Sequence, residues 1–246
     1  MNTKFFALAL VAVILSFAAG FYIANQLNRN ELMMLRGENE NLKKSNTQKP
    51  AADPSTNLSD DEIRAKIAEA DKDPTNFDFQ KKLGVALFSY GAMKQNQELI
   101  SESARLLQRV YDHDPKDFDV LVTLGNAHYD LASLNKTADG FKKARDFYAK
   151  ALEIKPDDAN VRADYGSTYL FSEPAEPEKA APELLKALQT NPKNERALQF
   201  ATETMLKLGK KDEAKKYLEQ LKTVNRQNPM IPEFETGLAG GASNQK

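Results

Sequence analysis

Two histidines, His113 and His128, and no cysteine bound the chemistry open to the side chains of this chain. Without Cys there is no thiol nucleophile, no disulfide and no thiolate metal site. His113 lies in Tyr111-Asp112-His113-Asp114-Pro115, where two flanking carboxylates suggest a metal corner. The same residues also describe a helix end, where a cationic side chain interacts favourably with the last carbonyls. No further ligand set stands at metal spacing, so the capping reading prevails. A Gly-rich phosphate loop, a nucleophile elbow and an HExxH pair are all missing. No catalytic, cofactor-binding or metal site is expected, and the chain is not read as an enzyme.

The 246 residues suffice for one large or two small domains. Apolar residues make up 41% and charged ones 28%, as in an ordinary soluble protein. A formal net charge of −1 leaves no basic face for nucleic acid.

The elements that position any site begin with the N-terminus. Residues 5–24 read FFALALVAVILSFAAGFYIA, twenty residues without a charge. As a helix at about 1.5 Å per residue they span roughly 30 Å, the thickness of a bilayer core. Residues 1–24 are therefore expected to be a transmembrane anchor. The rival reading is a signal peptide cleaved after Ser16-Phe17-Ala18, but the apolar run continues past that site to Ala24. Lys and Arg counts around the run (Lys4 before it, Arg29, Arg36, Lys43 and Lys44 after it) point to a cytoplasmic soluble part. The layout of short basic tail, apolar run and long soluble region resembles a bacterial signal anchor, which implies a single pass through the inner membrane and an exported soluble part.

Residues 25–44 follow as a helical stalk. Leu32, Leu35 and Leu42 fall on a, d and d of a heptad with Asn39 at the intervening a, fewer than two heptads in all. Weak self-association through residues 32–42 is the alternative use of that stripe. Residues 45–58 carry two prolines and no apolar periodicity, the pattern of a flexible linker.

Beyond the linker the sequence repeats. Pro74, Pro115, Pro156, Pro192 and Pro229 recur at intervals of 41, 41, 36 and 37 residues. Gly84, Gly125 and Gly166 each follow a proline by ten residues. Before each later proline comes an apolar stripe spaced i, i+4, i+7, one face of an α-helix: Ser103, Leu107, Val110; Ala144, Tyr148, Ala151; Ala180, Leu184, Ala187. Each unit is thus two helices and a turn, with small residues letting the helices approach. Residues before the prolines (Asp73, Asp114, Asn191, Asn228) are driven out of the α region and end a helix.

This pattern resembles the tetratricopeptide repeat. The match is best at Leu124, Gly125, His128, Ala144, Tyr148, Ala151 and Pro156, next at Tyr165, Gly166, Tyr169, Ala180, Leu184, Ala187 and Pro192. The last repeat shows Leu208-Gly209-Lys210 in its turn, then Ala214, Leu218 and Leu221. The resemblance implies an all-α fold, a right-handed superhelical solenoid of antiparallel helix pairs. Its expected extent is residues 73–229, in repeats at about 74–114, 115–155, 156–191 and 192–228. A capping helix is expected over 59–72, with Ile63, Ile67 and Ala70 on its buried face, and a tail over 230–246 whose Met230, Ile231 and Phe234 fold back on the last helix and which loses order beyond Glu235.

The family unit is 34 residues, so the first two repeats each carry seven extra, placed between their two helices. An added turn on each helix is expected, since Gln97 to Tyr111 reads as one long amphipathic helix. Pro174 and Pro177 predict an extended loop in repeat three. His128 takes a position where the family has a packing aromatic, and is read as a packing residue.

The resemblance also implies a function. Family members bind a peptide or helix in a concave groove lined by fixed positions of each first helix. By position these include Lys81 and Phe88, Asn126 and Tyr129, Ser167 and Leu170, and Gln199 and Glu203. A mix of aromatic, aliphatic and amide groups suits a protein segment. A clamp for a C-terminal carboxylate is not expected, because Val85 stands where such clamps have asparagine. The expected function is a membrane-anchored scaffold binding a partner protein. The alternative, by analogy of layout, is an assembly factor that holds clients in cytochrome c maturation or envelope biogenesis.

Overall fold

A computed structural model describes residues 59–240 of the chain. The anchor, stalk and linker expected over 1–58 lie outside the described residues. Among the described residues all regular elements are helices, and none is long and apolar enough to cross a membrane. They divide into two units, the first ending at His113 and the second beginning at Asp114.

The first unit holds α1 (Asp60–Lys72), α2 (Phe77–Lys94) and α3 (Gln97–His113). Ser59 starts α1 with a capping box: its hydroxyl accepts from Glu62 N–H while the Glu62 carboxylate accepts from Ser59 N–H. Helices α2 and α3 form a hairpin on which α1 packs. Ile63, Ala70, Leu83, Leu87, Leu99 and Leu106 make its core, with Ile67 half-buried against them. Arg105 and Arg109 of α3 donate to the Asp71 carboxylate at 2.7 and 2.8 Å, tying α1 to the hairpin.

The second unit stacks three hairpins and a final helix. They are α4 (Phe118–Asn135) with α5 (Ala138–Ile154), α6 (Ala159–Leu170) with α7 (Pro177–Thr190), and α8 (Glu195–Lys207) with α9 (Lys211–Val224), followed by α10 (Ile231–Gly240). Its main core joins Leu170, Leu184, Leu198, Leu218, Ile231 and Phe234.

The seven extra residues of the first two repeats are helical. Helices α2 to α5 run 18, 17, 18 and 17 residues, against 12 to 14 for α6 to α9. Gln95 and Lys136 close the two long hairpins in the left-handed conformation, at φ 52°. In the last hairpin Gly209, at φ 71°, takes that role. Pro177 is the first residue of α7, so the irregular loop of repeat three is confined to 171–176.

Each of the first four repeat prolines has a second partner in the local structure. Two residues after it stands an Asn or Asp (Asn76, Asp117, Asp158, Asn194) whose side chain accepts from the first turn of the next helix. The carboxylates of Asp73 and Asp114 and the amide of Asn191, just before the prolines, accept from the N–H two residues on. One four-residue motif therefore ends a helix, turns and starts the next.

The tail expected to lose order beyond Glu235 instead continues as helix α10 to Gly240. Ile231, Phe234 and Leu238 share one face, and all three pack on the core of the second unit. That burial supplies the stability that two glycines in the helix would otherwise deny it.

Within the hairpins the small residues mark points of closest approach. A Cβ placed on Gly125 would lie 2.5 Å from Tyr148 Cε1, and one on Gly84 would lie 2.6 Å from Leu107 Cγ. At Gly166 the nearest atom, Leu184 Cγ, stands at 3.0 Å. Ala144, Ala151, Ala180, Leu184, Ala187 and Ala214 are fully buried, as is Tyr148 but for 1%.

Candidate functional site

The first helix of each hairpin (α2, α4, α6, α8) presents a face that its own partner helix does not cover. In the first unit Lys81 and Phe88 stand on this face of α2, one turn either side of Val85, all three half-buried.

In the second unit the face is built around aromatic rings. Tyr129 of α4 meets Phe141 of α5 edge-on at 5.3 Å between centroids, and Phe171 at the end of α6 at 6.3 Å. Phe171 meets Phe200 of α8 at 5.7 Å. Edge-to-face contacts of this kind add about 0.5–1.5 kcal/mol each beyond area burial. The rings thus form a continuous line from the second repeat to the fourth. A cleft of about 490 Å³ opens beside it, floored by Tyr129, Phe141 and Phe171 and rimmed by Ser133, Lys136 and Glu173. Ligand pockets fall in the same range of size, roughly 300–1,000 Å³.

Polar groups gather next to the rings. Tyr148 donates to the Asn126 side-chain oxygen at 2.7 Å, so Asn126 serves the hairpin interior as well as the face. Arg196 of α8 donates to both carboxylate oxygens of Asp164 on α6 at 2.6 Å. That carboxylate holds the Arg196 guanidinium charged well beyond its ordinary range. Burial pushes the Tyr129 phenol up out of its usual range, partly offset by a hydrogen bond with Ser167.

Asp130 is the odd member of this group. Its carboxyl is pushed up to about 6, first by burial, with Asp164 adding to the rise and Arg196 opposing it. No hydrogen bond or ion pair to another described residue supports its charge. A half-buried carboxylate without a partner costs stability at neutral pH, and groups of this kind concentrate at functional sites.

Two of the expected groove positions are corrected. Ser167 and Leu170 are each only 1% exposed and offer nothing to a partner. Helix α6 is short and α8 packs on it, so Leu170 joins the core while Ser167 donates to the Asp164 backbone carbonyl. Gln199 is half-buried and accepts from Asn228 at 3.1 Å. Glu203 is half-buried with Lys207 3.7 Å away, and its carboxyl is raised by burial. Asp130, Asp164 and Phe171 lie outside the positions that sequence marks as groove, and the fold brings Phe171 to Tyr129 and Asp164 to Arg196.

The histidines sit in packing contacts. His128 stacks on Phe147 at 5.5 Å with its rings 3° from parallel, and burial followed by the Lys143 charge lowers its pKa. His113 ends α3 and stacks on Phe77 at 3.9 Å.

Comparison with known proteins agrees with this architecture. Residues 125–158 and 175–231 match models of the tetratricopeptide repeat. The crystal structure of MamA is similar with a TM-score of 0.52 at 22% identity, over 73% of this chain and 90% of that one. A thermophilic tetratricopeptide protein of Thermus thermophilus gives 0.54 at 15% identity, over 73% and 90%. Pseudomonas aeruginosa pilF gives 0.53 at 23%, over 68% and 71%. No curated protein sequence matches the chain. At such identities the likeness is one of fold. Residues 125–158 and 175–231 are thus tetratricopeptide-like in sequence, and the described helices share their fold with solved tetratricopeptide structures.

Proposed function

We propose that this chain is a membrane-tethered scaffold that holds a partner protein on the first-helix face of its hairpins. The observation that carries the reading is the open aromatic cleft of Tyr129, Phe141 and Phe171. Aromatic groups in a cleft with a few polar groups are what a peptide or amphipathic helix needs for anchoring and register. Asn126, Gln199 and Glu203 extend this face in the second unit, and Lys81 and Phe88 supply its counterpart in the first. Affinity capture with the wild-type chain, Tyr129→Ala and Phe88→Glu tests the assignment. Loss of a partner from either variant is expected; equal recovery of every partner by all three removes the groove.

The tether rests on residues 5–24, whose uncharged run matches a bilayer core in length. The chain is placed in a bacterial inner membrane as a single-pass protein with its repeats exported. Restricting a scaffold to the membrane raises its effective concentration toward partners located there. C-terminal fusions decide the orientation: an active phosphatase and a dark fluorescent protein are expected, and the reverse pair contradicts export.

A further inference from the structure

The aromatic cleft of the second unit is bordered by two charges that the described chain does not use. Lys136 closes the α4–α5 hairpin and Glu173 stands in the loop after α6, and both line the cleft beside Tyr129, Phe141 and Phe171. Both residues are exposed. Neither side chain makes an ion pair or hydrogen bond with another described residue, and the two do not pair with each other. Their neighbours are engaged. Glu176, in the same loop as Glu173, pairs with Lys179, and Lys142 of α5 lies 3.3 Å from Asp146. Two charges of opposite sign, from different elements, thus border one apolar floor. A rim of this kind favours a ligand that carries both signs. A wholly acidic segment would suit Lys136 but bring like charge to Glu173, and a wholly basic one would do the reverse.

We infer that the partner segment recognised here is zwitterionic about an apolar anchor. One large apolar side chain lies over Tyr129, Phe141 and Phe171, an acidic residue on one side of it reaches Lys136, and a basic residue on the other reaches Glu173. This rests on the reading of the first-helix face as the partner surface. The anchor supplies contact area within the cleft of about 490 Å³. The charges supply selection and orientation more than affinity, because exposed pairs are weak and screened by salt.

An array of dodecapeptides with blocked ends tests the inference with the full-length protein in detergent micelles. In a Gly/Ser/Ala background, a central Phe is flanked at two, three or four residues on either side by Glu and Arg in both orders. Matched sets carry two Glu, two Arg or two Gln, or replace Phe by Ala. At low salt one mixed order is expected to bind about fivefold tighter than any like-charged set, the scale of exposed ion pairs gained or lost. The gap should close in roughly 0.5 M salt. Lys136→Glu should move the preference to the two-Arg set, and Glu173→Lys to the two-Glu set. Gln95 closes the first hairpin with the same φ of 52°, so a side chain other than Lys is compatible with this turn. Ser133→Trp, on the exposed rim, should block binding of every set. Circular dichroism confirms that the three variants are folded. A like-charged or Gln set that equals the mixed sets on the wild type, or a ranking that either charge variant leaves unaltered, overturns the zwitterionic partner but leaves the groove. Absence of Phe-dependent binding, or binding untouched by Ser133→Trp, overturns the groove as well.

Discussion

Arg196 on α8 and Asp164 on α6 join the third and fourth repeats through one guanidinium nitrogen shared between two carboxylate oxygens, each at 2.6 Å. The two side chains are unequally protected, with Asp164 11% exposed and Arg196 37%. Removing one partner of a buried pair strands the other, at a cost of about 3–5 kcal/mol when water is excluded. Here water reaches the guanidinium and screens it, so Asp164→Ala is expected to cost about 1–2 kcal/mol. Arg196→Ala leaves the more buried carboxylate alone and should cost about 2–3 kcal/mol. The double variant should cost less than the sum, and urea titration of all three gives the coupling.

Asp130 predicts a dependence on pH whose sign is fixed. An unfolded aspartate titrates near 3.9, at roughly the value of model peptides, and in the folded chain the carboxyl titrates at about 6. Between those values the folded state binds more protons than the unfolded one, so this group lowers stability as pH rises from about 4 through 6. Above that window its full penalty is present, at most about 3 kcal/mol from a shift of roughly two units. Asp130→Asn should therefore raise the melting temperature at pH 8 and leave it nearly unchanged at pH 4. A variant that melts lower than wild type at pH 8 would show that the carboxylate has a stabilising partner.

The glycines of the hairpins should rank by the space beside them. Gly125→Ala drives a methyl into the buried Tyr148 ring, which is fixed through its hydrogen bond to Asn126, and should cost about 2–3 kcal/mol. At Gly166 the nearest atom is 0.5 Å farther away, 3.0 against 2.5 Å, and belongs to a branched side chain. Gly166→Ala should cost about 1 kcal/mol or less. Chemical denaturation midpoints at constant slope give the order; a reversed order would contradict the packing described.

Most of this framework is legible in the sequence, because proline, glycine and the i, i+4, i+7 stripes act locally. The N-caps are legible too: Asn76, Asp117, Asp158 and Asn194 each stand two residues after a proline, a spacing that the proline pattern alone does not draw attention to. What local pattern does not reveal is which groove positions close. Rules of position assume equal repeats, whereas α6 is only 12 residues long and α8 covers Ser167 and Leu170. Asp130 escapes for a related reason. It adjoins a groove aromatic, but its meaning comes from Asp164 and Arg196, which are 34 and 66 residues away. The packing of Ile231 and Phe234 is legible, but the continuation of α10 beyond Glu235 is not, because glycines at 237, 240 and 241 suggest disorder and the core that binds Leu238 is visible only in three dimensions.

Gln95 closes the first long hairpin at φ 52°, a region costly for any residue with a Cβ. Gly209 takes the corresponding place in the last hairpin without that cost. Gln95→Gly should stabilise the protein by about 0.5–1 kcal/mol, the left-handed penalty less the entropy of a more flexible unfolded chain. Thermal melts at neutral pH check this, and a lower midpoint would mean that the Gln95 side chain has a role of its own.

The central claim is that the first-helix face of the second unit holds a partner protein. A photo-crosslinking amino acid placed in living cells at Ser133, on the rim of the aromatic cleft, tests it most directly. Lys215, exposed on α9, is the control. A discrete higher-mass adduct at position 133 and none at 215, lost when Tyr129→Ala is combined with it, is the predicted result. Absence of any adduct at 133, or the same adducts at both positions, would contradict the account.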